Sequence, residues 1–167
     1  MTERDDLVEA GRVEAAIRVE DMDWRDIFAI QRDYLRLLVT EHADELKLST
    51  VTPAQVREYL SLADRFFAGQ GVTSSDLVEA RVEAITLAEH RLDRESNDAK
   101  IFDIVWRQLF DDLDLETRQD PVYFLLLNLL AKLSPSFAHD YASYLLRRVE
   151  TDYPEFVITV DDTVDLA

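Results

Sequence analysis

Residues 120–133 read DPVYFLLLNLLAKL, and this stretch decides the fold class. Only Asp120, Asn128 and Lys132 are plainly polar, so the segment has no wet face along most of its length. Asp120 suits a helix N-cap, and Pro121 the first helical position, where the N–H that proline lacks would be unpaired anyway. A helix that is apolar nearly all round is a buried one. At roughly 20 Å, from 1.5 Å per residue, it is too short to cross the roughly 30 Å hydrocarbon layer of a bilayer. The expectation is an all-α bundle with residues 121–133 as its central helix. Inside it, Asn128 is expected to bond a neighbouring helix or backbone, the alternative being the polar floor of a small pocket, because an unpaired buried amide costs on the order of 1–3 kcal/mol.

Working outward, Ser134-Pro135 repeats the cap-then-proline signal and opens a last helix to about residue 150, with Phe137, Tyr141, Tyr144, Leu145 and Val149 inward. On the other side, residues 111–120 form an acidic connector. A helix over 98–113 precedes it, carrying Phe102, Val105, Trp106, Leu109 and Leu113 on one side. The segment over 73–92 is expected to turn Val78, Val82, Ile85, Ala88 and Leu92 inward. Thr52-Pro53-Ala54-Gln55 is a capping box, the clearest helix start in the chain, and Gly69 and Gly71 end that helix. Its inner face is Val56, Tyr59, Leu60, Ala63, Phe66 and Phe67. A helix over 24–45 carries Trp24, Ile27, Phe28, Tyr34, Leu35, Leu38 and His42, and a weaker one over 5–19 carries Leu7, Ala10, Val13 and Ile17. No repeat or linker divides the chain, which predicts six to seven helices in a single domain over 1–167. Residues 151–167 are expected to be an extended acidic tail. Its β-branched part, 156–160, either lies across the bundle or waits for a partner's sheet edge.

Charge is the loudest signal. Thirty-five acids face eighteen bases, for a net charge of −17, and only Lys47, Lys100 and Lys132 are lysines. Such a field repels nucleic-acid phosphates and anionic lipid and speeds encounter with a basic partner. The chain has no cysteine, which removes disulfides, thiolate metal sites and cysteine nucleophiles. Its acidic start has no apolar run of the signal-peptide kind, so the expected location is the cytoplasm.

Chemistry is sparse. His42, His90 and His139 each have an acidic neighbour, but no zinc-binding His-Glu-x-x-His and no pair of Glu-x-x-His motifs is present. Three glycines could hardly build a phosphate-cradling loop. The expectation is a protein that is not an enzyme and uses neither cofactor nor metal. What remains is the acidic surface. Its clusters nominate Asp23, Trp24 and Asp26, together with Asp111, Asp112, Asp114 and Glu116, as partner-binding residues. The acids would pair with a partner's Lys and Arg, and Trp24 would serve as an aromatic anchor if exposed.

With these acidic clusters, and with helical segments such as Val56-Arg57-Glu58-Tyr59-Leu60-Ser61-Leu62-Ala63, the chain resembles the small, acidic, cysteine-free helical immunity proteins that neutralise bacterial toxins. The resemblance implies a steric and electrostatic mechanism in which the acids cover a basic active cleft. The expected partner is a basic protein, a toxin or a nucleic-acid-binding protein, with no direct nucleic-acid or membrane binding. The alternative is a structural or regulatory helical protein, with homo-oligomerisation left open, whose acidity is a solubility or halophilic trait.

Overall fold

A computed structural model describes residues 5–111 and 122–159. The described chain is all-α, with α1 (Asp5–Ala16), α2 (Trp24–Glu41), α3 (Ala43–Leu46), α4 (Pro53–Phe67), α5 (Ser74–Thr86), α6 (Asn97–Val105), α7 (Val122–Leu133) and α8 (Pro135–Asp152). No strand forms among the described residues. The contacts fall into two compact units, Met1–Ile30 with Asp120–Ala167, and Gln31–Gln119. The division falls inside α2. The expected cap and first residue of the apolar helix, Asp120 and Pro121, lie outside the described residues, as do Asp112, Asp114, Glu116 and the tail from Val160.

In the first unit, α7 packs against α8 and α1. Leu126, Leu127, Leu129 and Leu130 are buried on α7, facing a set on α8 that includes Phe137, Tyr141, Leu145 and Val149. Each such side chain contributes about 1.5–3 kcal/mol when fully withdrawn from water. Asn128 donates from Nδ2 to Asp6 Oδ2 on α1 at 3.0 Å, the neighbouring-helix bond its place in an apolar helix demanded.

The α1 helix inserts differently from its apolar pattern. Ala10, Val13 and Ile17 are buried as expected, but Asp6 and Glu9 are buried beside them while Leu7 is 50% exposed. The reason is partner chemistry. Asp6 has Asn128, and Glu9 accepts from Arg12 at 2.7 Å and meets His139 Nδ1 at 2.8 Å, so the carboxylates are compensated. Past α8, the chain turns at Pro154–Phe156, and Val157 makes a single antiparallel bridge to Ile17. Ile158 N donates to Ala16 O at 2.9 Å. After the turn that takes in Phe156, Val157 and Ile158 therefore run along the exit of α1.

The second unit is built on α4, α5, α6 and the later part of α2. Thr52 and Gln55 close the capping box from both sides, with Gln55 N donating to Thr52 Oγ1 at 3.2 Å and Thr52 N to Gln55 Oε1 at 2.9 Å. Gly69 and Gly71 take φ of +69° and +79°, the left-handed backbone that glycine adopts at no steric cost. A second box, Thr73 with Asp76, opens α5. Its hydrogen bonds hold the Asp76 carboxyl below the usual range.

The orientation of α5 corrects the sequence expectation. Ala88, just past α5, is buried as expected, but on α5 itself Leu77, Ala80 and Ala84 are buried, whereas Val78 and Val82 are 42% and 57% exposed. Small side chains let two helix axes approach closely, so the alanine seam, not the valine stripe, faces the neighbours. Two helix ends also differ. After Thr86 the backbone widens into a π turn over Leu87–Arg91, and α6 gives way to a 3-10 turn at Trp106–Gln108. The stretch after α2, read as one helix to residue 45, breaks at His42 and restarts as the single turn α3.

Asp98 on α6 ties down the loop between α3 and α4. It is 4% exposed and accepts from Ser49 N at 3.1 Å, Ser49 Oγ at 3.0 Å, Thr50 N at 3.2 Å, Thr50 Oγ1 at 3.1 Å and Val51 N at 3.4 Å. Burial pushes its carboxyl up, but the donors of Thr50 and Ser49 outweigh burial and hold it below the ordinary value.

Candidate functional site

Three of the seven nominated residues meet on the first turn of α2. Asp23 is exposed and caps the helix, its Oδ1 accepting from Arg25 N at 2.9 Å. Trp24 is half-buried, set edge-on to Phe28 with ring centroids 5.6 Å apart and with the Arg25 guanidinium 5.3 Å from its centroid. It is thus neither a free anchor nor a core residue. Asp26 is half-buried and accepts the Tyr153 hydroxyl. Burial first, and then the charge of Asp26, push that phenol upward. Glu20 and Asp21 are exposed just before this turn, which makes it locally negative, with Arg18 3.6 Å from Asp21 and Arg25 3.7 Å from Asp23 as partial compensation. Asp111 is half-buried and belongs to the other unit.

The histidines pair with acids, as their sequence neighbours suggested, but in two cases not with the adjacent residue. His42 meets Glu45 at 3.0 Å, and His90 lies 4.0 Å from Glu89. His139 meets Glu9, which is 130 positions away in sequence. Arg12 lies between them, within 3.1 Å of His139 Nδ1, and donates to Ser143 Oγ. The serine hydroxyl is therefore bound by a guanidinium, which locks α1 onto α8, and not by the imidazole that a nucleophilic pair would need. Among the described residues, no group of three or more His, Asp or Glu side chains is placed to hold a metal ion. No helix among them is long and apolar enough to cross a membrane.

The second unit holds two polar features that sequence reading did not assemble. Arg32 is 3% exposed. Its Nε bonds Asp64 at 2.5 Å, its guanidinium lies 5.4 Å from the Phe67 centroid, and one terminal nitrogen has no hydrogen-bond partner. Burial pushes Arg32 down to about 10. Asp64 is shared with Arg36, which also bonds Asp33 at 2.8 Å. Only Arg32 in this network is buried; Asp33, Arg36 and Asp64 are part-exposed. Removing Asp64 would therefore leave a buried guanidinium short of its carboxylate, while the outer pairs are screened by water.

The other feature is a groove of about 270 Å³ between α4 and α5, with Glu58, Tyr59, Leu62 and Arg65 on one wall and Ala80 and Glu83 on the other. Tyr59 donates to Glu83 Oε1 at 2.5 Å, and its ring stands edge-on to buried Phe102 with centroids 5.6 Å apart. Burial and the Glu83 carboxylate both raise the Tyr59 phenol well above its ordinary value, so the hydroxyl stays a donor. In the sequence, Tyr59 belonged to the inner face of its helix, and no local signal paired it with Glu83. Only the pairing of the two helix rims makes them neighbours.

No protein-family model matches the chain, and no curated protein or solved structure shows significant similarity to it.

Proposed function

We propose that this protein is a non-enzymatic acidic binding module that neutralises a basic protein, such as a toxin, by lying over its cationic cleft. The observation carrying this reading is how charge is distributed between surface and interior. Among the described residues, more than twice as many carboxylates as basic side chains are exposed. The bases are drawn inward: Arg32 is buried, and Arg36, Arg81, Arg107 and Arg148 are half-buried. Arg36 pairs with Asp33 and Asp64, while the guanidiniums of Arg81, Arg107 and Arg148 lie over Phe110, Trp106 and Tyr144. Turning cations inward leaves the exposed side chains with an excess of negative charge, which steers a positively charged protein into contact and disfavours an anionic one. The first turn of α2, with Glu20, Asp21 and Asp23 around half-buried Trp24, is the proposed first point of contact.

The test is capture from the native host with the immobilised full chain at low salt, followed by elution in a salt gradient. A single basic protein retained near 0.05 M salt, released as screening shortens the Debye length to below about 8 Å, and retained less by D23N/D26N supports the reading. Retention independent of salt, or of no basic protein, refutes it. The second reading, a structural or regulatory module, draws on two exposed apolar pairs, Leu7 with Val8 and Val78 with Val82. It predicts a concentration-dependent oligomer in sedimentation equilibrium and a stability that rises in molar salt.

A further inference from the structure

The groove between α4 and α5 has a polarity along its length. Arg65 lies seven positions after Glu58, so the helical rise puts them roughly 10 Å apart along α4. The Tyr59–Glu83 bond places Glu83 at the Glu58 end. The groove thus runs from two carboxylates beside an aromatic ring, over the apolar Leu62 and Ala80, to a guanidinium. The Glu58 and Arg65 side chains are exposed and make no hydrogen bond or ion pair among the described residues. Tyr59 is fixed from both sides, by Phe102 behind its ring and by Glu83 at its hydroxyl, so the groove is preorganised where a ligand cation would sit.

Each class of small ligand meets this pattern differently. A phosphate or carboxylate alone would be repelled by Glu58 and Glu83. A polyamine, cationic throughout, would meet Arg65 at the far end. A cation joined by an aliphatic stem to a carbonyl or carboxylate matches all three parts. We propose that the groove is a socket for an arginine or lysine residue: its cation between Glu58 and Glu83 against the Tyr59 ring, its methylenes over Leu62 and Ala80, and its carbonyl or C-terminal carboxylate at Arg65. Carboxylate pairing and cation–π attraction hold the head, and stem burial holds the middle. The inference rests on the reading of the protein as a module for a basic partner, and it gives that partner a residue to insert at a site separate from the first turn of α2.

The experiment is a titration of the isotope-labelled full chain by NMR with three probes at millimolar concentration: N-acetyl-arginine, its amide, and N-acetyl-norleucine, which has the stem without the cation. Arginine is expected to shift amides around Tyr59, Leu62 and Glu83, and norleucine to leave them unmoved. E58Q and E83Q each weaken arginine about tenfold, the loss of one charge-assisted contact. The amide binds more weakly than the acid, and R65Q removes that difference. Both glutamates are exposed, and glutamine keeps an acceptor for Tyr59, so circular dichroism is expected to show unchanged helix. Equal response to norleucine, indifference to E58Q and E83Q, or shifts centred on residues 20–26 overturns the socket, and the last of these leaves the proposed function standing. Groove binding of the probe, with no basic protein captured from the host, keeps the socket and sinks the basic-partner reading.

Discussion

Replacing Asp98 by asparagine is expected to loosen the second unit by about 2–3 kcal/mol. The carboxylate accepts from five donors at 3.0–3.4 Å and sits on the first turn of α6, where the helix dipole also favours a negative charge. Hydrogen bonds to a charged acceptor are worth about 1.5–3 kcal/mol each, but the five are far from additive. Ser49 and Thr50 are exposed, so water replaces the carboxylate for four of the donors, while Val51 is 8% exposed and its N–H has less recourse. Asparagine also turns an NH₂ toward N–H groups that need an acceptor. The sign of the pH dependence follows from the shift. The folded carboxyl lies below its ordinary value, so its contribution is complete above the unfolded pKa of about 3.9 and disappears as pH falls through the folded one. The wild-type advantage over D98N should therefore shrink on acidification below about pH 4. Hydrogen exchange on α4 and α6, with denaturant unfolding at pH 7 and pH 3, reads both effects. A cost under about 0.5 kcal/mol, with unchanged protection of the 49–51 amides, would refute the account.

Two further outcomes test the packing. L77A should cost about 2–4 kcal/mol and V82A less than about 0.5 kcal/mol, because the first residue is buried and the second exposed; equal or reversed costs in urea melts would mean that α5 faces the other way. N128D places a second carboxylate at the 3.0 Å contact with Asp6, which raises the pKa of the pair in the folded state. It should lose about 2–3 kcal/mol at pH 7.5 and regain part of it at pH 5, since an acid whose folded pKa is raised is stabilised as pH falls. A melting-temperature deficit identical at the two pH values would exclude the contact.

Local signals in the chain were strong enough to be read directly. Although Ser134 makes no side-chain cap bond at the start of α8, the apolar run that became α7, the capping box at Thr52, the glycine stop at Gly69 and Gly71, and Pro135 in the first turn of α8 all depend on features within a few residues. So does the demand that Asn128 find a partner. Of the nominated contact residues, Asp23, Trp24 and Asp26 could be placed together because one helix turn joins them. The burial of Asp6 and Glu9, by contrast, depends on Asn128 and His139, and the five donors on Asp98 come from a loop nearly fifty positions away. Reading the 73–92 segment by hydrophobicity placed Ala88 correctly but chose Val78 and Val82 where packing chose Leu77, Ala80 and Ala84, because how closely helices approach depends on what stands opposite. The sequence by itself determined that the chain is helical, through its apolar run and helix-start signals, and that it is acidic and free of cysteine. Which acids are buried, which apolar side chains are left in water, and the groove joining Tyr59 to Glu83 were decided by tertiary structure, since each needs two segments that only folding brings within bonding distance.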